Sequence, residues 1–115
     1  MPGTGLVRGR VYAAVLDGLE DIGEKYYLVV SNNRRNDAFP QVLAVRLTTT
    51  PAKSPRPSVV ELDHREPLAG RAVCDDIVEL YPHEVRRDLG GLSREAMRRV
   101  ADGLASALGF GAGRA

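Results

Sequence analysis

Apolar and polar residues alternate or cluster in short runs along this 115-residue chain, and only one stretch carries a helical period. Gly9 to Leu16 (GRVYAAVL) reads as a first strand. Asp17 to Glu24 follows with two glycines and four acids, the composition of a loop. Lys25 to Ser31 (KYYLVVS) is a second strand, apolar on both faces. Tyr26, Leu28 and Val30 share one face, and Tyr27 and Val29 the other. Such a strand belongs at the centre of the fold, covered by the rest of the domain or by a second subunit. A polar run from Asn32 to Asp37 comes next, with room for one helical turn capped by Ser31 or Asn32. Asn32 and Asn36 suit the backbone of that turn.

Gln41 to Thr49 is a third strand, with Leu43, Val45 and Leu47 toward the core. Arg46 and Thr48 share its other face beside Val42 and Ala44, and that face is either solvated or a working surface. Pro51 to Pro57 holds three prolines and two basic residues and reads as an exposed connection. Ser58 to Leu62 and Gly70 to Val78 are further strands, Pro82 begins a turn, and Arg86 to Leu92 is a last short strand. Strict alternation in the fifth strand puts Arg71, Val73 and Asp75 on one face and Ala72, Cys74 and Asp76 on the other. Ser93 to Leu108 is the one helix of length, capped by Ser93, stopped by Gly109, and striped by Met97, Val100, Leu104 and Leu108. Short strands with one terminal helix predict a mainly β (α+β) domain: a small, strongly bent antiparallel barrel closed by a helix.

Composition narrows the setting. With 43% hydrophobic residues, no Trp and two Phe, the core must be built from Val, Leu and Ala. No apolar run approaches the roughly 20 residues of a membrane span, and no signal-peptide pattern opens the chain, which suits the cytoplasm. The single cysteine, Cys74, reads as a buried free thiol. Net charge is only +1, so no global field draws the chain to nucleic acid. The local distribution is uneven: Arg34, Arg35, Arg46, Lys53 and Arg56 load the central third behind an acidic loop. His64 and His83 lie in polar loop-like stretches, and no His, Cys or Asp grouping has zinc spacing. No phosphate-binding glycine motif is present, so neither a metal nor a cofactor is expected.

Several short motifs occur in a fixed order. Arg8-Gly9-x-Val11-Tyr12 is followed by Lys25, then Leu28 to Asn32 (LVVSN) with Asn36 closing the run. Leu47-Thr48 ends a strand, Cys74 to Ile77 reads C-D-D-I, and G-x-L-S precedes the helix. Singly these are weak; in this order, from Arg8 to Phe110, the chain resembles the MazF/PemK toxins of type II toxin–antitoxin systems.

That resemblance implies an SH3-like barrel with a C-terminal helix, one domain over residues 8–110, with flexible termini at 1–7 and 111–115. It implies a homodimeric, metal-independent, sequence-selective endoribonuclease. The enzyme would cut single-stranded RNA through the 2′-hydroxyl, leaving a 2′,3′-cyclic phosphate and a 5′-hydroxyl, and so block translation. A cognate antitoxin would lay a flexible acidic segment in the RNA groove, and DNA would be met only through it. Carried over residue by residue, the family's arginine before a proline at the entry of strand two falls on Lys25 before Tyr26. The family's threonine or serine at the end of strand three is Thr48, and the aspartate of C-D-Q is Asp75. The arginine two places before that aspartate is Val73 here, and acidic residues replace the first-loop histidine.

The chemistry asks for a base at the 2′-hydroxyl, a donor at the 5′ oxygen and positive charge at the phosphorane. Lys25 supplies charge as a point cation, without the bidentate fork of arginine. Thr48 hydrogen-bonds a phosphate oxygen or positions the 2′-hydroxyl. Asp75 is the base candidate, and one aspartate of the pair is expected to be a partly desolvated carboxylate with a raised pKa. Arg46 is a second cation, and Tyr26, Arg34, Arg35 and Lys53 are RNA-contact candidates with it. Two other readings stand beside this one: a DNA gyrase poison of the CcdB type, which carries a C-terminal Trp-Gly-Ile element absent here, and a non-catalytic SH3-like binding module.

Overall fold

The computed structural model describes residues 3–51 and 54–110. The element order is β1 (Arg10–Ala14), β2 (Lys25–Val29), α1 (Asn33–Ala38), β3 (Val42–Thr48), β4 (Val59–Leu62), β5 (Gly70–Leu80), a 3-10 turn (Pro82–Glu84), β6 (Val85–Gly91) and α2 (Arg94–Leu108). The six strands form one antiparallel sheet in the order β4-β5-β3-β2-β1-β6. The mainly β class with a C-terminal helix is as expected, but β4 and β6 do not pair, so the sheet is bent and open rather than hydrogen-bonded into a ring.

β2 is inside the sheet, as its two apolar faces require, and both are covered within one chain. On one face Leu28, Val45, Leu47, Val60, Ala72 and Cys74 pack under α2 through Ala96 and Val100. On the other, Tyr12, Ala14, Leu16, Tyr27, Val29, Val42, Ala44 and Leu80 form a second core. The β3 face that carries Arg46 and Thr48 is therefore core at its Val42–Ala44 end and open only toward Thr48.

β5 makes the bend. Its register against β3 jumps from Val45↔Ile77 to Arg46↔Val73, which leaves residues 74–76 without Cα partners in β3. Cys74 turns instead to the β4 side, its N–H donating to the Ser58 carbonyl at 2.8 Å. Such an irregularity reorients the side chains beyond it.

Asn32 caps α1, its Oδ1 accepting from the Arg35 N–H at 2.8 Å. Asn36 is fully buried, where its Nδ2 donates to the Ser31 carbonyl at 3.0 Å and its Oδ1 accepts from the Ser31 hydroxyl at 2.5 Å. Its carbonyl also accepts from the N–H and the hydroxyl of Thr4, which ties the start of the chain to α1. Ser93 caps α2 and donates its hydroxyl to Glu66, and Gly109 ends the helix in the left-handed region at φ 82°. Leu108, expected in the apolar stripe, is 53% exposed: the helix has left the sheet by its last turn.

Candidate active site

The register gathers the site. Tyr26 opposes Leu47 and Tyr27 opposes Arg46, so one further step sets Lys25 across from Thr48. On the other side of β3, Thr48 opposes Arg71 and Arg46 opposes Val73. Residues opposite one another share a face, and alternate rows share it too. Lys25, Tyr27, Arg46, Thr48, Arg71 and Val73 therefore line one surface across three strands. A recess of about 80 Å³ lies at one end, between the β1–β2 loop and Lys25, Tyr27, Arg46, Asp76 and Val78. A trough of about 350 Å³ lined by Arg46, Thr48, Thr50, Val73 and Asp76 continues from it. A further hollow of about 270 Å³ adds Pro51, Arg56 and Arg71. Shared residues make these one groove.

Lys25 is half-buried, and no ion pair engages it among the described residues. The Thr48 Oγ1 accepts the Thr50 N–H at 3.0 Å, which fixes the oxygen and leaves the hydroxyl hydrogen free to donate into the groove. Arg46 is half-buried and its Nε is enclosed without a hydrogen-bond partner. Burial raises the Tyr27 phenol above its ordinary pKa, so it stays neutral. Arg71 is occupied: its guanidinium clasps Glu61 at 2.9 Å through two nitrogens and donates to the carbonyls of Thr49 and Thr50. It holds the end of β3 in place beside Thr48.

The bend in β5 divides the aspartate pair differently from simple alternation. Asp76 lines the recess and the trough, on the groove side with Val73. Asp75 turns to the start of β4, where its Oδ2 accepts from the Ser58 hydroxyl at 2.6 Å and from the Arg56 Nε at 3.0 Å. The Ser58 hydrogen bond, and then Arg56, lower the Asp75 pKa, opposite to the raised value expected of a base candidate. Through Arg56 this carboxylate borders the groove without lining it.

Of the other RNA-contact candidates, Tyr26 faces away from the groove and packs against the core under α2, while its neighbour Tyr27 forms the groove wall. Arg34 and Arg35 sit on α1, at the far ends of β2 and β3 from Lys25 and Thr48. Arg34 is exposed; Arg35 donates to the Gln41 carbonyl at 2.9 Å and stacks on Phe39 at 4.6 Å, a structural role. Lys53 lies outside the described residues. Sequence reasoning missed Asp76, Arg71 and Thr50. The adjacent aspartates were a visible signal, but which one faces the groove depends on the register jump.

Among the described residues, one cluster has atoms close enough for a metal, Asp17, His83 and Glu84. Its members are already engaged: His83 Nε2 meets Asp17 at 2.6 Å, and the Glu84 oxygens accept the N–H groups of Asp17 and Tyr81 at 2.8 Å each. It knits the β1–β2 loop to the 3-10 turn. No helix of the described residues is long and apolar enough to cross a membrane.

Known proteins share this architecture. The chain is 38% identical over 104 residues to the endoribonuclease MazF1 of Mycobacterium bovis and to the endoribonuclease MazF4 of Mycobacterium tuberculosis, covering 90% of this chain and 93% of each relative. Among solved structures, an endoribonuclease in complex with its cognate antitoxin from a mycobacterial species superposes with a TM-score of 0.81 at 37% identity, covering 91% of this chain and 96% of that one. The MazE–MazF complex of Deinococcus radiodurans, at 21% identity, shares the fold with a TM-score of 0.74 over 91% of this chain and 96% of that one. With residues 7–108 also matching the family model, the chain belongs to the PemK-like, MazF-like toxins of type II toxin–antitoxin systems.

Proposed function

We propose that this toxin is an endoribonuclease that cuts single-stranded RNA in the Lys25–Thr48 groove, through the 2′-hydroxyl and without a metal. The observation that carries this reading is the pairing, in one row of the sheet, of an unengaged ammonium with a hydroxyl fixed to donate. The 2′ oxygen attacks phosphorus and the bond to the 5′ oxygen breaks, giving a 2′,3′-cyclic phosphate and a 5′-hydroxyl. The proton lost at the 2′ position is balanced by the one gained at the 5′ oxygen. Lys25 neutralises the charge that builds on the phosphorane, and the Thr48 hydroxyl donates to one of its free oxygens. Arg46 contacts the RNA from the groove floor. Asp75, ionised and bound to Arg56, serves as a positioning residue that holds a cation at the rim.

The proposed partners follow from the same groove. Its cations suit an antitoxin segment carrying carboxylates, in line with the mycobacterial endoribonuclease solved in complex with its cognate antitoxin. A homodimer is proposed on the family's pattern.

The test is a long structured RNA incubated with the purified protein in EDTA, with the 5′ ends mapped. Defined cuts bearing 5′-hydroxyls are expected, and Lys25→Ala should lower the rate by about a hundredfold or more. RNA that stays intact at enzyme excess, or cuts equally fast with Lys25→Ala, would overturn the reading.

A further inference from the structure

We propose that Arg46 and Asp76 form a guanine-reading pocket at the recessed end of the groove; the proposal rests on the groove being an RNA-cleaving site. These two residues are the ones common to the recess and the trough. They carry opposite charges, yet no ion pair joins them among the described residues, and the Arg46 Nε is enclosed with no acceptor. Elsewhere Arg10, Arg56, Arg65, Arg71 and Arg87 each hold a carboxylate. A guanidinium and a carboxylate that line one hollow without pairing offer a donor and an acceptor to whatever enters between them.

The walls suit a flat aromatic edge. Leu16, Leu19 and Ile22 of the β1–β2 segment line it together with Tyr27. A recess of about 80 Å³ takes the edge of a base, while the trough of about 350 Å³ beside Thr48 takes the sugar and phosphate. Lys25 also lines the recess, so the base held there is next to the scissile phosphate.

The hydrogen-bond pattern selects the base. An ionised carboxylate only accepts, and a guanidinium only donates. The Watson–Crick edge of guanine presents O6 as an acceptor beside two adjacent donors, N1–H and N2–H. Asp76 takes the two donors and Arg46 gives to O6. Uracil offers one donor between two acceptors, and adenine and cytosine a single donor amine beside an acceptor ring nitrogen, so each can meet Arg46 but gives the carboxylate only one donor, where guanine gives two. Unstacked bases of single-stranded RNA are read on this edge.

The test compares wild type with Asp76→Asn on a pool of randomised RNA in EDTA, reading the nucleotides that flank every cut. Asp76 is exposed, so the substitution spares the core. Wild-type cuts are expected to carry guanine at one fixed position beside the scissile bond. In Asp76→Asn the preference for guanine over adenine there should fall roughly tenfold or more, because a carboxamide offers the donor and acceptor that adenine matches. Unchanged guanine preference in the variant, no guanine at any fixed position in the wild type, or an equal loss of rate at every site would overturn the pocket. The last result would make Asp76 a catalytic group. RNA left intact by the wild type itself overturns the cleavage reading beneath, and this inference with it.

Discussion

Thr48 carries a sharp test because its two polar tasks separate. Its oxygen accepts from Thr50, and its hydrogen is what the groove receives. Thr48→Ser keeps both and should hold turnover within about tenfold, while Thr48→Val keeps the shape and loses the donor, lowering turnover about a hundredfold or more. Steady-state kinetics on a short RNA checks this; equal rates for the two variants would remove the hydroxyl from the mechanism. Lys25 and Thr48 became candidates through the family resemblance, and the register sets them across from one another. Tyr26 and Tyr27 were less legible in the sequence: adjacent residues of a strand with two apolar faces give no sign of which face opens. Asp75 and Asp76 could not be separated at all. Strict alternation placed Asp75 beside Val73, and the unpaired residues of β5 moved that place to Asp76.

At the scale of elements, α2 was the most legible part of the chain, since Ser93 and Gly109 mark its ends and a 3.6-residue period runs between. The periodicity hid how closely it packs. Gly103 is buried mid-helix, where a Cβ would lie 2.9 Å from the Cys74 Sγ and 3.0 Å from Val60 Cγ2. A glycine there costs about 1 kcal/mol of helix propensity against alanine, so Gly103→Ala would stabilise an exposed helix. Against this sheet the crowding, typically about 1–3 kcal/mol, outweighs the gain. Gly103→Ala should lower the urea midpoint, and adding Cys74→Ala should restore part of the loss by vacating the contact. A midpoint that rises in the single variant would show that α2 can shift off β5. The Cys74 thiol, its pKa pushed up to about 11 by burial, is un-ionised near neutral pH in wild type, so the rescue reads packing alone.

Over the whole molecule, the strand count and the terminal helix were legible, and barrel closure was not. Closure is set by whether the two edges meet, here β4 and β6, which lie far apart in the sequence and signal nothing locally. With no hydrogen bonds between those edges, charge pairs between segments bear more of the tethering: Arg10 with Asp88 joins β1 to β6, and Arg56 with Asp75 ties the approach to β4 onto the bend of β5. Both carboxyls are held below their ordinary pKa, Asp88 by Arg10 and Asp75 by Ser58 and then Arg56, while Asp63 is lowered to about 2 by Arg65. A carboxyl lowered in the folded state adds stability above its unfolded value near 3.8, and that stability is lost as pH falls through the folded value. Each exposed pair contributes little alone. The same titration also strips the balance of charge, leaving sixteen Lys and Arg and two His unopposed where net charge had been +1. The urea midpoint is therefore expected to stay level from pH 7 to about 4 and to drop steeply toward pH 2. Asp75→Asn with Asp88→Asn should start lower at pH 7 and fall less. A decline already under way between pH 7 and 5 would show that these lowered carboxyls do not set the pH response.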